Sequence, residues 1–388
     1  MADLSAQRVL VLHNRYRIAG GEERYVAQLV DLLDRRAAGV ELYERSSARS
    51  GAARAAAGML LGGLDPESVG RAVQETGATI VHAHNIHPAF GHRALASARE
   101  AGAATILHLH NYRLFCAIGT LWRGGADCTE CVPKQTSRGL LHNCRGSIPE
   151  AAVYAAGLAR GQQPLIDAVD RFAAPVQQLA DDFTGFGFDL PMSVVPSWLP
   201  DSEFARSSQA DQGEYALFVG RLSSDKGILT AIAAAAESGV QLRIAGDGPD
   251  AMRARRLAEE LAAPVDFMGR IDGQALVAAR MGAAFAVVPS VWREVLPLSA
   301  LESLAAGLPL VVNDRGGLPE LTEPDLVVPP GDASALGRTM RRLTDDPVAR
   351  AAAGVRALER ANARFSEAAF APRLAELYEA ALASRASV

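Results

Sequence analysis

The stretch Phe285–Asp314, "FAVVPSVWREVLPLSALESLAAGLPLVVND", carries the pattern that decides the fold. "FAVVPS" is a short continuous apolar run that ends at a turn residue, as a strand buried on both faces does. "PLSALESLAAGLPLVV" reads as a helix followed by the next strand. Pro297 suits a first helical turn, where its missing N–H leaves nothing unsatisfied. Strand, loop, helix and strand in that order make one parallel crossover unit.

The same unit recurs in both directions along the chain. Upstream, "YALFVG" (from Tyr215), "LRIAG" (from Leu242) and "VDFMG" (from Val265) are further strands, separated by alanine-rich helical segments. In the first half, "RVLVLH" (Arg8–His13), "TIVHAH" (Thr79–His84), "TILHLH" (Thr105–His110) and "RFAAP" (Arg171–Pro175) repeat the alternation. Between the halves, "PSWLPDSEFARSSQADQG" (Pro196–Gly213) turns polar and reads as a linker. The expected fold is α/β, two doubly wound parallel sheets facing each other across a cleft. The expected domains are residues 1–197, with a cysteine-bearing insertion at 111–147, and residues 198–364. The terminal segment 365–388, which includes "FSEAAFAPRLAELYEAAL", has apolar residues at helical spacing.

Composition agrees with this and excludes several classes. A chain of 388 residues, 49% hydrophobic and 21% charged, is long enough for two or three domains with substantial cores. Its net charge of −5 gives no reason to expect nucleic acid as a partner. No apolar run approaches the roughly 18 residues of a membrane span. The opening "MADLSAQRVLVLHN" lacks the basic-then-apolar order of a secretory signal, so the expected compartment is the cytoplasm. Arg45, Arg49 and Arg54 near "AAAGMLLGG" would make a weakly basic surface for peripheral contact with the inner face of a membrane, or simply a solvated helix face.

In parallel sheets of this kind, ligands sit beyond the carboxyl ends of the strands. After the first strand, Gly20 and Gly21 precede a helix starting near Glu22, where free amides favour an anion and glycine lets it approach. G-x-G-x-x-G is absent, which argues against a dinucleotide. "GRLSSDKG" places Arg221 and Lys226 on one glycine-flanked loop, a cation pair suited to a diphosphate. "AGDGP" (Ala245–Pro249) and "MGRI" (Met268–Ile271) follow on the next two strands. Glu294 falls in the loop after "FAVVPS", and Glu302 lies more than a turn along the next helix. Both carboxylates would address one ligand, with the backbone of Val295, Leu296, Pro297 and Leu298 between them.

These blocks, in this order, resemble those of family 4 glycosyltransferases, which have the GT-B fold of two Rossmann-like domains. "REVLPLSALESLAAGLPLVVNDRGGLPEL" is similar to the family's E-x7-E region. "GGEERYV", "GRLSSDKG", "AGDGP" and "MGRI" resemble its other blocks, and "VHAHNIHP" and "LHLHNYRLFC" its acceptor-domain strands. The resemblance implies retaining transfer of a sugar from a nucleotide-sugar donor, UDP- or GDP-linked, without a catalytic metal. It implies that Glu294 holds the donor sugar, Glu302 the ribose, Arg221 and Lys226 the diphosphate, and the backbone near Ile271 the base. It implies a catalytic place for His110, although Asn111 stands where the family has Asp. It implies that the terminal helix crosses back to the first domain. The cysteine-bearing pattern is similar to that of bacterial enzymes of cell-surface polysaccharide assembly, whose acceptors are glycans or lipid-linked. The Ala- and Arg-rich composition equally allows a small natural-product acceptor.

All eight histidines lie between His13 and His142. His82 and His84 share one strand face, as do His108 and His110. Paired in this way they would serve a metal-dependent hydrolase, a reading that leaves the second-half loops unexplained. A sugar-nucleotide epimerase or a non-catalytic sugar-binding protein would use the same architecture. Cys116, Cys128, Cys131 and Cys144 have the spacing C-x11-C-x2-C-x12-C, which can wrap one structural zinc in a segment with little core of its own. Free buried thiols are the plainer alternative.

Overall fold

The computed structural model describes residues 3–16, 20–46 and 51–386. It divides into two compact units. The first comprises Met1–Arg123, Cys128–Ser197 and Phe370–Val388; the second comprises Gly124–Asp127 and Trp198–Ala369.

The first unit is built on a six-stranded sheet of order β2-β1-β3-β4-β7-β8. These strands are β1 (Arg8–Arg15), β2 (Gly39–Ser46), β3 (Ile80–Ala83), β4 (Ala104–His108), β7 (Arg171–Ala174) and β8 (Met192–Val194). A two-stranded hairpin, β5 (Trp122–Arg123) with β6 (Ala126–Asp127), lies in the cysteine segment. All the pairings of the large sheet are parallel, with Val9 opposite Ile80 and Ile80 opposite Ala104. The central strands β3 and β4 are buried at every position, so they read as unbroken apolar runs. Strand β2, "GVELYERS", escapes that reading because it lies at the sheet edge, half-buried, with charged Glu41 and Glu44 at its exposed places.

Helix Gly21–Arg36 buries Tyr25, Val26, Leu29, Leu32 and Leu33, a stripe at helical spacing. Helix Glu367–Ala386 buries Phe370, Leu374, Leu377, Tyr378 and Ala381 in the same manner. Its place in the first unit is fixed by Tyr378 Oη, 3.0 Å from His82 Nδ1, and by Arg385, which donates to the Arg99 carbonyl at 2.8 Å.

The second unit repeats the plan with the sheet order β11-β10-β9-β12-β13-β14. The strands are β9 (Tyr215–Val219), β10 (Leu242–Ala245), β11 (Val265–Gly269), β12 (Ala283–Val288), β13 (Leu310–Asn313) and β14 (Val327–Val328). One apolar layer gathers Ile228, Ile232, Leu242, Ile244, Leu336 and Met340, and the other Leu217, Leu301, Leu304, Leu310 and Phe365.

The polar stretch after Pro196 is no loose linker. Trp198 and Leu199 are fully buried, and the Leu199 amide donates to the Phe365 carbonyl at 2.8 Å. Buried Arg350 donates to the carbonyls of Ala210 (2.7 Å), Asp211 (2.9 Å) and Leu343 (2.7 Å). Its polar composition reflects these satisfied backbone groups, not mobility. The expected basic surface is likewise not free. Arg45 donates to the carbonyls of Ala89 (2.9 Å) and Asp65 (3.0 Å) and covers the Phe90 ring, which makes it an internal brace. Arg54 is exposed, and Arg49 lies outside the described residues. Among the described residues no helix is long and apolar enough to cross a membrane.

Candidate functional site

Loops at the carboxyl ends of β9 and β12 bring two of the expected residues of the second unit, Lys226 and Glu294, into contact. Lys226 and Glu294 form an ion pair, and Ser290 Oγ donates to the same Glu294 oxygen at 2.7 Å. Glu294 is buried at 4% exposure, so its charge needs these partners. The Lys226 ammonium also sits 5.0 Å from the centre of the Trp292 ring. Glu302 is paired with Arg280, and both side chains are nearly buried. Arg221 is more open, 62% exposed, and reaches Asp225 (3.1 Å) and Ser223 Oγ (3.2 Å).

Two glycines make this arrangement possible. Gly227 has φ +70°, and a Cβ there would stand 1.8 Å from the Pro289 carbonyl oxygen. Only glycine lets the cation loop lie on the end of β12, where the Val291 amide also donates to the Asp225 carbonyl at 2.9 Å. Gly316 has φ +55°, and its Cβ would meet the Glu294 carbonyl oxygen at 2.0 Å. The Gly317 amide donates to that carbonyl at 2.8 Å.

The helix after this loop is Leu298–Ala305, with Pro297 in extended conformation as its N-cap. Val295 and Leu296 pack inward, and Pro297 has no N–H, so of the four backbone positions expected to face a ligand Pro297 cannot donate. Ile271 is partly buried against the same core as Leu296.

In the first unit, the Gly20 amide is already occupied. It donates to Glu23 Oε2 at 2.7 Å, while Glu23 Oε1 accepts the Tyr16 amide at 3.0 Å. Glu22 accepts the Asn85 amide at 2.8 Å and the Tyr16 hydroxyl at 3.0 Å, and burial raises its pKa. The helix start at Gly20–Gly21 therefore carries two carboxylates of its own. An incoming anion would have to compete with them, which the glycine pair alone did not reveal.

His110 ends a ladder of imidazoles on one face of β3 and β4. His82 stacks on His84 and His108 on His110, each pair with ring centres 4.6 Å apart. Tyr25 meets His84, His108 and His110 edge-on at 5.0–5.5 Å. His84 Nδ1 lies 3.0 Å from His110 Nε2. Burial lowers the pKa of each: His82 and His110 to about 3, and His84 and His108 well below the ordinary value. All four are neutral at pH 7. The Asn111 side chain accepts the Arg113 amide at 2.9 Å, turning a local loop.

Cys116, Cys128, Cys131 and Cys144 are free thiols. Burial, then the neighbouring Cys116, Cys144 and Cys128 sulfurs, push the Cys131 thiol up to about 11. The segment is folded by short-range turns: the Cys128 amide donates to Leu121 (2.8 Å) and the Cys144 amide to Gly139 (3.0 Å). Among the described residues, a group whose ligand atoms all gather within 4.8 Å is His82, His84 and His108, outside this segment.

Arg280, Ser290 and Trp292 escaped sequence reading. A lone Arg or Ser on a helix or strand end has no spacing signal; their partners Glu302 and Glu294 become visible only through the fold.

Residues 201–360 match the family described as glycosyl transferases group 1. That match covers most of the second unit. A GDP-mannose-dependent monoacylated alpha-(1-6)-phosphatidylinositol monomannoside mannosyltransferase of Corynebacterium glutamicum is 31% identical over 153 residues, which are 37% of this chain and 40% of the relative. The chain spans about two fifths of the length of such curated relatives. Among solved structures, sucrose-phosphate synthase from Thermosynechococcus elongatus is similar at TM-score 0.70 and 19% identity, over 97% of this chain and 100% of that one. Anabaena HepE in complex with UDP and glucose is similar at TM-score 0.66 and 16% identity, over 96% and 99%. These neighbours show a GT-B fold for the whole chain. Arg221, Lys226, Ile271, Glu294 and Glu302 lie inside the matched residues; Gly20, Gly21, His110 and the four cysteines lie outside them.

Proposed function

We propose that the chain is a retaining glycosyltransferase that takes a sugar from a UDP- or GDP-sugar. The observation that carries this reading is the Lys226–Glu294 ion pair, with Glu302, eight residues further on, paired with Arg280. A diphosphate competes with Glu294 for the Lys226 ammonium and draws Arg221 from Asp225. Glu294, released from the lysine but still held by Ser290, then accepts hydroxyls of the donor sugar. Glu302, fixed by Arg280, accepts those of the ribose, and the backbone at Ile271 borders the base. A donor stripped of its phosphates would leave Lys226 and Glu294 paired with each other. The relatives' GDP-mannose and the UDP of HepE fit the same chemistry.

Catalysis in this reading is electrostatic. Arg221 and Lys226 stabilise the charge that builds on the leaving diphosphate. The first unit contributes His110 at the reacting centre, neutral and oriented by His84. Asn111 supplies no carboxylate there, so the acceptor's proton passes to the leaving phosphate on the face from which the acceptor attacks. Configuration at the anomeric carbon is retained. The acceptor is a glycan or lipid-linked saccharide of bacterial cell-surface assembly, met in the cytoplasm or at the inner face of the membrane. The four cysteines close on a structural zinc that shapes their segment.

The test is a screen for nucleotide release with UDP-, GDP- and dTDP-sugars, with product stereochemistry read by NMR. Acceptor-dependent release from one donor, with the anomeric configuration kept, is the expected result. Conversion of a donor without an acceptor would make the protein an epimerase, and binding without release a sugar-binding protein.

A further inference from the structure

Three buried histidines of the first unit each use one ring nitrogen and leave the other unused. His82 Nδ1 lies 3.0 Å from Tyr378 Oη, His84 Nδ1 3.0 Å from His110 Nε2, and His108 Nδ1 3.4 Å from Tyr25 Oη. The Nε2 atoms of all three are sealed from solvent and have no hydrogen-bond partner. A buried polar nitrogen without a partner is destabilising, and here three of them occur in one cluster. One ring nitrogen from each of the three lies within 4.8 Å of the other two.

This is the pattern of ligating histidines, which hold Nδ1 by an outer hydrogen bond and offer Nε2 to an ion. We propose that His82, His84 and His108 bind one divalent first-row transition ion through Nε2, with a water as the remaining ligand. A cavity of about 40 Å³ borders His84 and His108 and has room for that water. Glu22 lines the same cavity. An all-imidazole set selects zinc, cobalt, nickel or copper over magnesium and calcium.

The rings now stack with interplanar angles of 10–28°. A zinc–nitrogen bond of about 2.0–2.1 Å in tetrahedral geometry draws the nitrogens to roughly 3.3 Å apart, so the rings tilt toward one another on binding. With the ion on His84 Nε2, the His84 proton is confined to Nδ1. His110 Nε2 then becomes the acceptor of that proton, and its tautomer is fixed.

The cysteines would bind metal too, so the experiment uses the full chain carrying Cys128→Ser, stripped with a chelator and titrated with Co²⁺. Nitrogen–oxygen coordination gives visible d–d bands without the thiolate charge-transfer bands of a cysteine site. The expected result is one Co²⁺ per chain with such bands, displaced by Zn²⁺ and not by Mg²⁺, and lost in His82→Gln and in His108→Gln. Should those variants fail to fold, Zn²⁺ must still raise the Tm of the Cys128→Ser chain, and Mg²⁺ must not. Absence of the bands and of any zinc-dependent Tm shift in the Cys128→Ser chain overturns the proposal, as does cobalt binding that survives both histidine substitutions.

Discussion

Lys226 and Glu294, sixty-eight positions apart, share an ion pair at the ends of two neighbouring strands, and Glu294 is the more deeply buried partner. Removing the lysine leaves a buried carboxylate with Ser290 as its remaining side-chain donor. Lys226→Ala is therefore expected to cost about 2 kcal/mol of stability, reduced from the value for a fully buried pair because Lys226 keeps 22% exposure. It is also expected to weaken nucleoside diphosphate binding by about tenfold. Glu294→Gln keeps the shape and frees the ammonium, so it should bind nucleoside diphosphate at least as well while turnover falls by about a hundredfold or more. Calorimetric titration with UDP and GDP, beside nucleotide-release rates, separates the two effects. Equal losses of affinity in both variants would contradict the assigned roles.

Gly316 controls where that carboxylate sits. Any side chain there is strained at φ +55° and collides with the Glu294 backbone oxygen. Gly316→Ala should lower stability by about 2 kcal/mol or more, since the left-handed conformation alone costs about 1–2 kcal/mol in an L-residue. Thermal unfolding reads the stability, and the turnover number should drop with it. A variant as stable and active as the parent would show that this loop tolerates displacement.

Arg350 holds the chain entering the second unit by donating to Ala210, Asp211 and Leu343. Truncation leaves the carbonyls of buried Ala210 and Leu343 without this donor. Arg350→Ala is expected to cost about 3 kcal/mol in urea unfolding, with nucleotide affinity per folded molecule unchanged. Arg350→Lys should recover only part, because an ammonium cannot match the guanidinium's spread of donors.

The core strands were legible in sequence because burial on both faces writes them as unbroken apolar runs. Edge strands such as Gly39–Ser46 were not, because their exposed places carry charge. Glu294 and Glu302 were legible as a spaced pair next to a strand end. Their partners were not: Arg280 and Lys226 come from 22 and 68 residues away, a relation that only the parallel crossover creates. The Gly20–Gly21 signal pointed to free amides, but local sequence already held the reply, since Glu23 stands where a capping box needs it. Histidine spacing revealed a shared face and could not reveal which nitrogens would be left unused.

His110 bonds His84 through Nε2, so its chemistry at the reacting centre must pass through the other ring nitrogen. His110→Ala is expected to cut transfer by about a hundredfold, the lower end for a positioned acid–base group. Nucleotide affinity should stay within twofold, because the diphosphate, sugar and ribose contacts proposed above lie in the second unit. Transfer at the parental rate would remove His110 from the reaction and turn attention to His84.

The cysteine segment gives the last expectation. Burial, and then the neighbouring sulfurs of the other three cysteines, push the Cys131 thiol up to about 11. Four like charges in one place are unfavourable unless an ion neutralises them, and a tetrahedral zinc with sulfurs at about 2.3 Å does so. Protein purified without chelator should then carry zinc bound by thiolates, and Cys128→Ser should lose that zinc. The Co²⁺-substituted parent should display thiolate charge-transfer bands that the Cys128→Ser chain lacks. Loss of the ion should expose the hairpin Trp122–Asp127 to proteolysis before either sheet unfolds, because the residues of that hairpin are mostly exposed and the turns beside it are short-range. A parent chain with four titratable thiols, no charge-transfer bands with Co²⁺ and full activity would show that these cysteines pack without a metal.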